Sequence, residues 1–206
     1  MKFSIALLVP VAGVLAAPTP PGIPSESTAR SLLSGLTVAA STNTGTYDRD
    51  LFPHWETYEG ACNTREYVLK RDGTNVVTNS ACASTSGTWK SPYDGATWTQ
   101  ASDIDIDHMV PLKNAWILTY LSLELLRGLP PSALSSPMML HGPSCGQAIT
   151  DNVNQAKSDK SPDSWKPPLT SFYCTYAKSW VQVKSYWQLT ITSAEKTALG
   201  SMLDYC

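Results

Sequence analysis

The sequence predicts a small α+β domain that is stabilised by disulfides. Acidic residues and isoleucines alternate from Asp103 to Asp107, which is the period-two pattern of a strand. Apolar and aromatic side chains recur every three to four residues over 172–187, which is the pattern of an amphipathic helix. The chain also begins with a secretory signal and contains five cysteines, so disulfides are expected.

The size and charge of the chain limit its possible functions. After removal of the signal, about 190 of the 206 residues remain, which is enough for one domain with its own core. The chain has 15 Lys and Arg against 17 Asp and Glu, a net charge of −2. It therefore lacks the overall basic charge of a dedicated nucleic-acid binder, and any attraction for phosphate must be local.

Residues 1–17 have the features of a secretory signal peptide. Lys2 precedes an apolar run from Phe3 to Leu15, and the small residues that end at Ala16 suit a cleavage site. The apolar run is shorter than the roughly 20 residues that span a membrane, which argues against a membrane anchor. We therefore expect a secreted, extracellular protein with no membrane partner.

Segment 18–44 is predicted to be a Pro-rich linker followed by a short helix. Pro18 to Pro24 is rich in proline, which favours an extended or disordered linker. A helix is expected between Ser25 and Val38, with Ala29 and Leu33 on its apolar side. The main domain is then residues 45–206.

The first half of this domain is predicted to contain a turn and a hairpin. Residues 64–70 have either helix or strand character, and Asp72-Gly73 marks a turn. Residues 87–95 alternate turn residues with aromatics, which indicates a hairpin that leads into the strand at 103–107. Cys62 and Cys82 flank the turn, and we prefer a disulfide between them.

The C-terminal part is predicted to be helical. The aromatic stripe of 172–187 favours a core face over a base-stacking platform, and Thr192 to Glu195 has the spacing of a capping box for a last helix. Gly200 weakens that helix by roughly 1 kcal/mol relative to alanine. Our preferred second disulfide is Cys174–Cys206, which leaves Cys145 unpaired. A chain-entropy argument gives about 3 to 4 kcal/mol of stabilisation for each bond.

The alternating acidic strand ends on a histidine. A strand would place Asp103, Asp105 and Asp107 on one face, opposite the isoleucines, and Pro111 then turns the chain away after His108. A hard cation is a natural counter-charge for such a face, with a neutral imidazole beside it. The alternative is a solvated acidic face with an ordinary histidine.

A second polar segment lies downstream, at 152–165. Asp107-His108 followed by Asn154-x-x-Lys157 resembles the HNH, or ββα-metal (His-Me finger), nuclease motif. The order of residues over nearly all of 45–206 is also similar to that of secreted microbial HNH endonucleases. The residues that carry this similarity are Tyr47, Arg49, Phe52, Trp55, Cys62 to Arg65, Val68 to Asp72, Cys82, Ser86 to Trp89, Pro92, Tyr93, Asp107 to Trp116, Asn154, Lys157, Trp165 to Pro168, Cys174, Tyr176, Trp180 and Lys184.

The resemblance implies an embedded ββα-metal site and a role for each matching residue. The Asp-His pair would end the first strand, with His108 as general base and Asp107 as a ligand of the cation. Asn154, on a short helix after the second strand, would be the other protein ligand. Oxygen ligands of this kind imply Mg²⁺, with Mn²⁺ as a substitute. Asp105 would orient the site or add a ligand.

Smaller roles follow for the cationic residues. Arg65 would be a catalytic residue that contacts the scissile phosphate, since a guanidinium matches phosphate oxygens, although a structural salt bridge is an equal alternative. Lys157 and Lys160 would bind flanking phosphates of the substrate or lie on a solvated surface. His54 and His141 have no matching partners and are interpreted as structural or incidental.

One segment departs from the family pattern. Residues 117–147 are rich in Leu, Ser and Pro, where the family has a polar helix and an Asn-Asp-Leu stretch. A shifted reading frame, a misplaced splice boundary or a divergent insertion would each explain this. Sequencing the transcript distinguishes them.

The sequence thus predicts a secreted, metal-dependent and largely non-specific endonuclease that hydrolyses phosphodiester bonds of DNA or RNA. A monomer with nucleic acid as its substrate is expected, and no groove-reading motif such as a helix-turn-helix or zinc finger is present. The alternative is a secreted, non-catalytic interaction protein with a degenerate HNH site.

Overall fold

The computed structural model describes residues 22–42, 44–52, 57–118 and 146–206. The signal peptide, His54, His141, Cys145 and most of the atypical segment lie outside the described residues. The helices are α1 (Glu26–Gly35), α2 (Thr64–Asp72), α3 (Leu112–Ile117), α4 (Asp151–Lys157), α5 (Tyr173–Tyr186) and α6 (Ser193–Leu203). The strands are β1 (Thr57–Glu59), β2 (Cys62–Asn63), β3 (Gly73–Thr78), β4 (Ser84–Lys90), β5 (Thr97–Trp98), β6 (Ile104–His108) and β7 (Gly146–Thr150).

The strands form three small antiparallel sheets, which confirms a mixed α+β architecture. β1 pairs with β2, β3 to β5 form a three-stranded sheet, and β6 pairs with β7. The predicted hairpin at 87–95 is therefore confirmed as β4 and β5 with the intervening turn. Residues 64–70, which the sequence left open between helix and strand, are helical.

Two clusters of buried apolar residues form the core. The larger joins α1, α5 and α6 with Tyr93 and the segment after β6. The smaller joins α2 and β4 with Ile104, Ile106 and Ala148. Burial of apolar surface of this kind is the main favourable contribution to folding. Since α1 shares the larger cluster, the short helix before residue 45 is part of the same domain.

The antiparallel pair of β6 and β7 lies between these two clusters. Ile104 and Ile106 of β6 face the smaller cluster, as the period of two predicts, while Ile149 of β7 faces the larger one. The two strands pair at all five positions without a bulge, from Ile104 with Thr150 to His108 with Gly146. β7 continues directly into α4, so Asn154 lies on a short helix that follows the partner strand of β6.

The end of α2 holds β7 in place. Arg71 donates to Asp72 and to the backbone oxygen of Gly146, and the Asp72 carboxylate accepts the backbone N–H of Ala148 at 3.0 Å. Asp72 is buried, and a buried carboxylate is stable when it is paired in this way. The position of the second strand therefore depends on contacts with α2 as well as on pairing with β6.

Both predicted disulfides are confirmed. Cys62 is bonded to Cys82, and Cys174 to Cys206. The second bond joins the first turn of α5 to the last residue of the chain. It thereby ties together two of the three helices that build the larger cluster.

Two elements differ from the prediction at their ends. The strand begins at Ile104, because Ala101 to Asp103 forms a turn of 3₁₀-helix, so Asp103 does not share the face of Asp105 and Asp107. Helix α1 stops at Gly35 rather than continuing to Val38, since Leu36 already has an extended backbone conformation. The aromatic stripe of α5 lies in the core as predicted.

Gly200 provides a test of the last helix. It lies inside α6, and a Cβ built at this position would meet nothing within 4 Å. We expect Gly200→Ala to raise the free energy of unfolding by about 0.5 to 1 kcal/mol, because alanine has less backbone freedom to lose. Urea denaturation measures this. Gly146→Ala is the contrasting control, since its Cβ would come 3.0 Å from Ile106 Cγ2 and should destabilise the protein. A destabilising Gly200→Ala would contradict the open space beside α6.

Candidate functional site

A pocket of about 480 Å³ opens where β6 ends and α4 passes beside it. Ligand sites commonly have volumes of about 300 to 1,000 Å³, so the pocket can hold a small ligand or part of a polymer. Its walls come from the chain before β1, from β6, from the start of α3 and from α4. The lining residues are Tyr47, Arg49, Asp105, Ile106, His108, Pro111, Leu112, Lys113, Asn154, Ser158 and Asp159.

Asp105 and Asn154 join the strand and helix walls of this pocket. Asn154 Nδ2 donates to Asp105 Oδ2 at 3.1 Å, and the contact is partly buried. Asp105 is on β6, and Asn154 lies near the middle of α4. β7 ends at Thr150 and α4 begins at Asp151, so the helix follows the strand directly and its amide lies beside the carboxylate of β6.

His108 is the last residue of β6 and also lines the pocket. Its backbone pairs with Gly146, and the residue is half-buried. Met109 and Val110, which follow it, are buried in the larger cluster, and Pro111 then precedes α3. The backbone around His108 is thus fixed on both sides, which limits the directions in which the imidazole can point.

The rim of the pocket carries charges of both signs. Arg49 is exposed and lies in a short 3₁₀ turn, and among the described residues no ion pair involves it. Lys113 Nζ pairs with Asp159 Oδ2 at 2.6 Å. This hydrogen bond raises the pKa of Lys113 and lowers the pKa of Asp159. Both side chains are more than two-fifths exposed, so the pair contributes little to stability but does hold charge at the rim.

Asp107 points away from the pocket and into the protein. It is 3% exposed, and both carboxylate oxygens have partners: Lys157 Nζ lies 2.7 Å from Oδ1, and the Tyr93 hydroxyl donates to Oδ2 at 2.5 Å. Lys157 is fully buried and also donates to the backbone oxygen of His108 at 2.9 Å. Burial raises the pKa of Asp107 and lowers the pKa of Lys157, since each charged form loses its hydration.

Aromatic rings enclose this buried ion pair. The Lys157 ammonium lies 5.8 Å from the centre of the Trp180 ring, within the range of a cation–π contact. Tyr93 is completely buried, and burial raises the pKa of its hydroxyl well above the usual range, so Tyr93 donates its proton to Asp107. The rings of Tyr176, Phe172 and Trp165 pack around Tyr93 with centroids 5.5 to 5.6 Å away.

The structure brings together some of the residues singled out from the sequence and separates others. His108, Asn154 and Asp105 line one pocket. Asp107 and Lys157 lie behind it, where Lys157 offers no charge to a bound phosphate and both oxygens of Asp107 are already engaged.

The other two cationic residues do not line the pocket. Arg65 donates from Nη2 to the backbone oxygen of Ala101 at 2.9 Å. Lys160 is exposed and donates to the backbone oxygen of Ala156 at 2.8 Å. Lys160 therefore lies on the surface near the pocket, where a flanking phosphate could reach it. Arg65, in contrast, has a structural contact.

The oxygen donors that face the pocket fit a cation in part. Within the described ranges, no group of three or more His, Cys, Asp or Glu is arranged to hold a metal ion. Mg²⁺, however, commonly takes one or two carboxylates and completes its coordination with waters and substrate phosphate. Asp105 and Asn154 supply one carboxylate and one amide, and rotation of the amide by about 180° presents its oxygen. The residues that fit are therefore Asp105 and Asn154 rather than Asp107 and Asn154.

The sequence did not assign roles to three residues that the structure brings to this region. Arg49 and Lys113 are at the rim, and Tyr93 holds Asp107. Lys113 lies five residues after His108, at the start of a helix, which is a local signal. Arg49 and Tyr93 are remote from the strand in sequence, and their place depends on tertiary packing that the sequence pattern does not reveal.

Comparison with known proteins identifies a relative. The chain is 54% identical over 211 residues to a protein of Arthroderma benhamiae named "Uncharacterized secreted protein", and the match covers 100% of both chains. No family model and no solved structure matches the chain. In the described part of the chain, no helix is long and apolar enough to cross a membrane.

Proposed function

We propose that the present protein, which is secreted and belongs to the same family as the secreted protein of Arthroderma benhamiae, is a metal-dependent endonuclease that hydrolyses phosphodiester bonds of nucleic acids. The observation that carries the proposal is the composition of one pocket wall. His108 at the end of β6 lies in the same pocket as the Asp105–Asn154 pair. A proton acceptor and two hard oxygen donors are the groups that this hydrolysis needs.

His108 is assigned the role of general base. Histidine is the usual side chain for accepting a proton near neutral pH, and His108 lines the pocket at the end of a fixed strand. In the proposed reaction the imidazole takes a proton from water, the resulting hydroxide attacks phosphorus, and the bond from phosphorus to the 3′ oxygen breaks. The departing oxygen then takes a proton from solvent.

Asp105 and Asn154 are assigned to the cation site. When bound, Mg²⁺ or Mn²⁺ would neutralise charge on the phosphate and on the leaving oxygen. Asp105 supplies the negative charge, and Asn154 supplies a neutral oxygen after its amide rotates. Such a pair binds a hard cation weakly until phosphate oxygens complete the coordination, which links cation binding to substrate binding.

The two cationic residues at the rim are assigned to the phosphate backbone. Arg49 and Lys113 border the pocket on the side of the chain that precedes β1 and at α3. Contacts with phosphate position a nucleic acid without reading its sequence. Binding through phosphate contacts supports a largely non-specific activity. Because these contacts are local to the pocket, the molecule does not need a basic surface overall.

The first test is cleavage of plasmid DNA and of single-stranded RNA by the secreted protein. With Mg²⁺ or Mn²⁺ we expect cleavage, and excess chelator should abolish it. Asn154→Ala should lower the metal-dependent rate at least about 10-fold, the usual scale for loss of a group that supports a metal site. Asn152→Ala is the matched control, because Asn152 is exposed on the same helix and does not line the pocket.

Two results would oppose the proposal. Cleavage that is unaffected by chelator would remove the cation from the mechanism. Absence of cleavage of either polymer, in a protein shown to be folded with both disulfides formed, would favour the non-catalytic interaction protein instead. A lower cleavage rate for Asn154→Ala but not for Asn152→Ala would show an effect on the metal site. An equal loss in both variants would show a general disturbance of α4.

A further inference from the structure

We infer that Lys157 is a positioning residue: its buried ammonium ties helix α4 to the end of β6 and so fixes Asn154 in the pocket that His108 also lines. The catalytic consequence of this tether rests on the proposed function, whereas the tether itself is a pair of contacts in the structure. It assigns Lys157 a contact with the backbone of His108 rather than with substrate.

The geometry gives Lys157 two contacts on neighbouring residues of one strand. Nζ donates to Asp107 Oδ1 at 2.7 Å and to the backbone oxygen of His108 at 2.9 Å. The second contact is not needed to neutralise Asp107, because a backbone oxygen carries no net charge. It joins the helix directly to the residue whose side chain lines the pocket.

Besides Lys157, helix α4 is held by its direct connection to β7, the partly buried Asn154–Asp105 hydrogen bond and the exposed Lys113–Asp159 pair that follows it. It contains seven residues, and no side chain caps its N-terminus. Isolated helices shorter than about 12 residues are marginal in water, so tertiary contacts must fix such a helix. Lys157 is its buried residue, while Val153 is only partly buried against the larger cluster. Asn154 lies one turn before Lys157, so the position of the ammonium sets the position of the amide.

The chain after Lys157 indicates that this position is enforced. Ser158 has a φ of 50°, in the left-handed region that non-glycine residues seldom adopt. Such a conformation persists where the surrounding contacts over-determine it. Ser158 lines the pocket and directly follows the tether, which places the strained residue between the buried anchor and the rim.

The far side of the tether is equally fixed. Asp107 accepts the Tyr93 hydroxyl, and the rings of Trp165, Phe172 and Tyr176 surround Tyr93. The anchor is thus attached to a group of packed aromatic rings in the larger cluster. Movement of α4 relative to β6 would break a charged hydrogen bond inside this group, which is costly.

The test compares Lys157→Met with the double variant Lys157→Met/Asp107→Asn. The single variant leaves the Asp107 charge buried without its partner, so it loses stability for that reason alone. The double variant removes both charges, and the introduced amide can still accept the Tyr93 hydroxyl through its oxygen, but the bond to the His108 backbone is absent. The matched control is Lys184→Met/Glu195→Gln, which removes another fully buried ion pair away from the pocket.

Two readouts are measured at a temperature at which every variant is folded. For the double variant we expect kcat to fall about 10²-fold, the scale of a misplacement of roughly 1 Å, with KM within about twofold. Amide hydrogen exchange over residues 151–157 should be at least about 10-fold faster than in the native protein, while exchange over 173–186 is unchanged. The control should change neither kcat nor exchange in α4.

Failure of the tether can be distinguished from failure of the proposed function. Native kcat and native exchange in α4 for the double variant would overturn the inference and make Lys157 a counter-charge for Asp107 only. If the native protein cuts no nucleic acid, the proposed function fails, and the exchange measurement still decides whether Lys157 tethers the helix.

Discussion

If the proposed function is right, replacing His108 with alanine should lower the rate of phosphodiester cleavage by about 10² to 10⁴, the usual contribution of a general base. The structure makes this a test of the ring alone. The backbone of His108 pairs with Gly146 and accepts from Lys157, and both contacts remain in the variant. Initial rates on plasmid DNA and on single-stranded RNA measure the effect, with circular dichroism to show that the variant is folded.

Two further comparisons separate base catalysis from binding. His108→Gln keeps a polar side chain but has no group that accepts a proton at neutral pH, so it should be as slow as the alanine variant. Imidazole added to His108→Ala should restore part of the rate, because it supplies the missing base from solution. A His108 variant that keeps more than about half of the native rate would show that another group activates the water, since loss of a general base costs at least about 10²-fold.

Most of the fold could be predicted because its signals are local. The alternation of Asp and Ile in β6, the three- to four-residue spacing in α5 and the placement of four cysteines each depend on a short stretch of chain. One local signal was overlooked: Asn63 and Glu66 form a capping box, which identifies α2 as a helix that begins at Thr64. The end of α1 was misplaced because apolar residues continue past the helix into an extended segment.

The candidate site was only partly predictable, because a pattern does not reveal where a carboxylate points. Asp105 and Asp107 lie on the same face of β6 in sequence terms, yet Asp105 meets Asn154 at the pocket and Asp107 enters the core. The difference arises from Tyr93 and Lys157, which are 14 and 50 residues away from Asp107 along the chain. A lysine that the sequence suggests as a phosphate contact is therefore buried.

Glu195 illustrates the same limit at the other end of the molecule. The sequence gives it the third position of a capping box, and Thr192 Oγ1 does accept its backbone N–H at 3.1 Å. Its carboxylate, however, is completely buried against the Lys184 ammonium, with N–O distances of 2.8 and 2.9 Å. Trp180 Nε1 donates to the same carboxylate at 2.5 Å. Residues on two helices thus form a second buried ion pair.

Breaking this pair has the largest expected effect on stability. Lys184→Met should lower the free energy of unfolding by about 3 to 5 kcal/mol, because Glu195 then stays buried as an uncompensated charge. Lys184→Met/Glu195→Gln should recover much of the loss, since no buried charge remains and the glutamine oxygen can accept from Trp180. Urea denaturation of the single and double variants gives the coupling energy. A double variant no more stable than Lys184→Met would show that packing, and not charge, is the cause.

The loss in Lys184→Met should also depend on pH with a definite sign. Burial raises the pKa of Glu195, and Lys184 opposes this rise in the native protein. Without Lys184 the folded-state pKa of Glu195 rises further above its unfolded value. A raised folded-state pKa gives stability that is fully present below the unfolded value, about 4.3 for Glu, and is lost as pH rises through the folded value. The difference in unfolding free energy between native protein and Lys184→Met should therefore be smallest near about pH 4 and grow toward neutral pH. A difference independent of pH would mean that the buried charge is not what destabilises the variant.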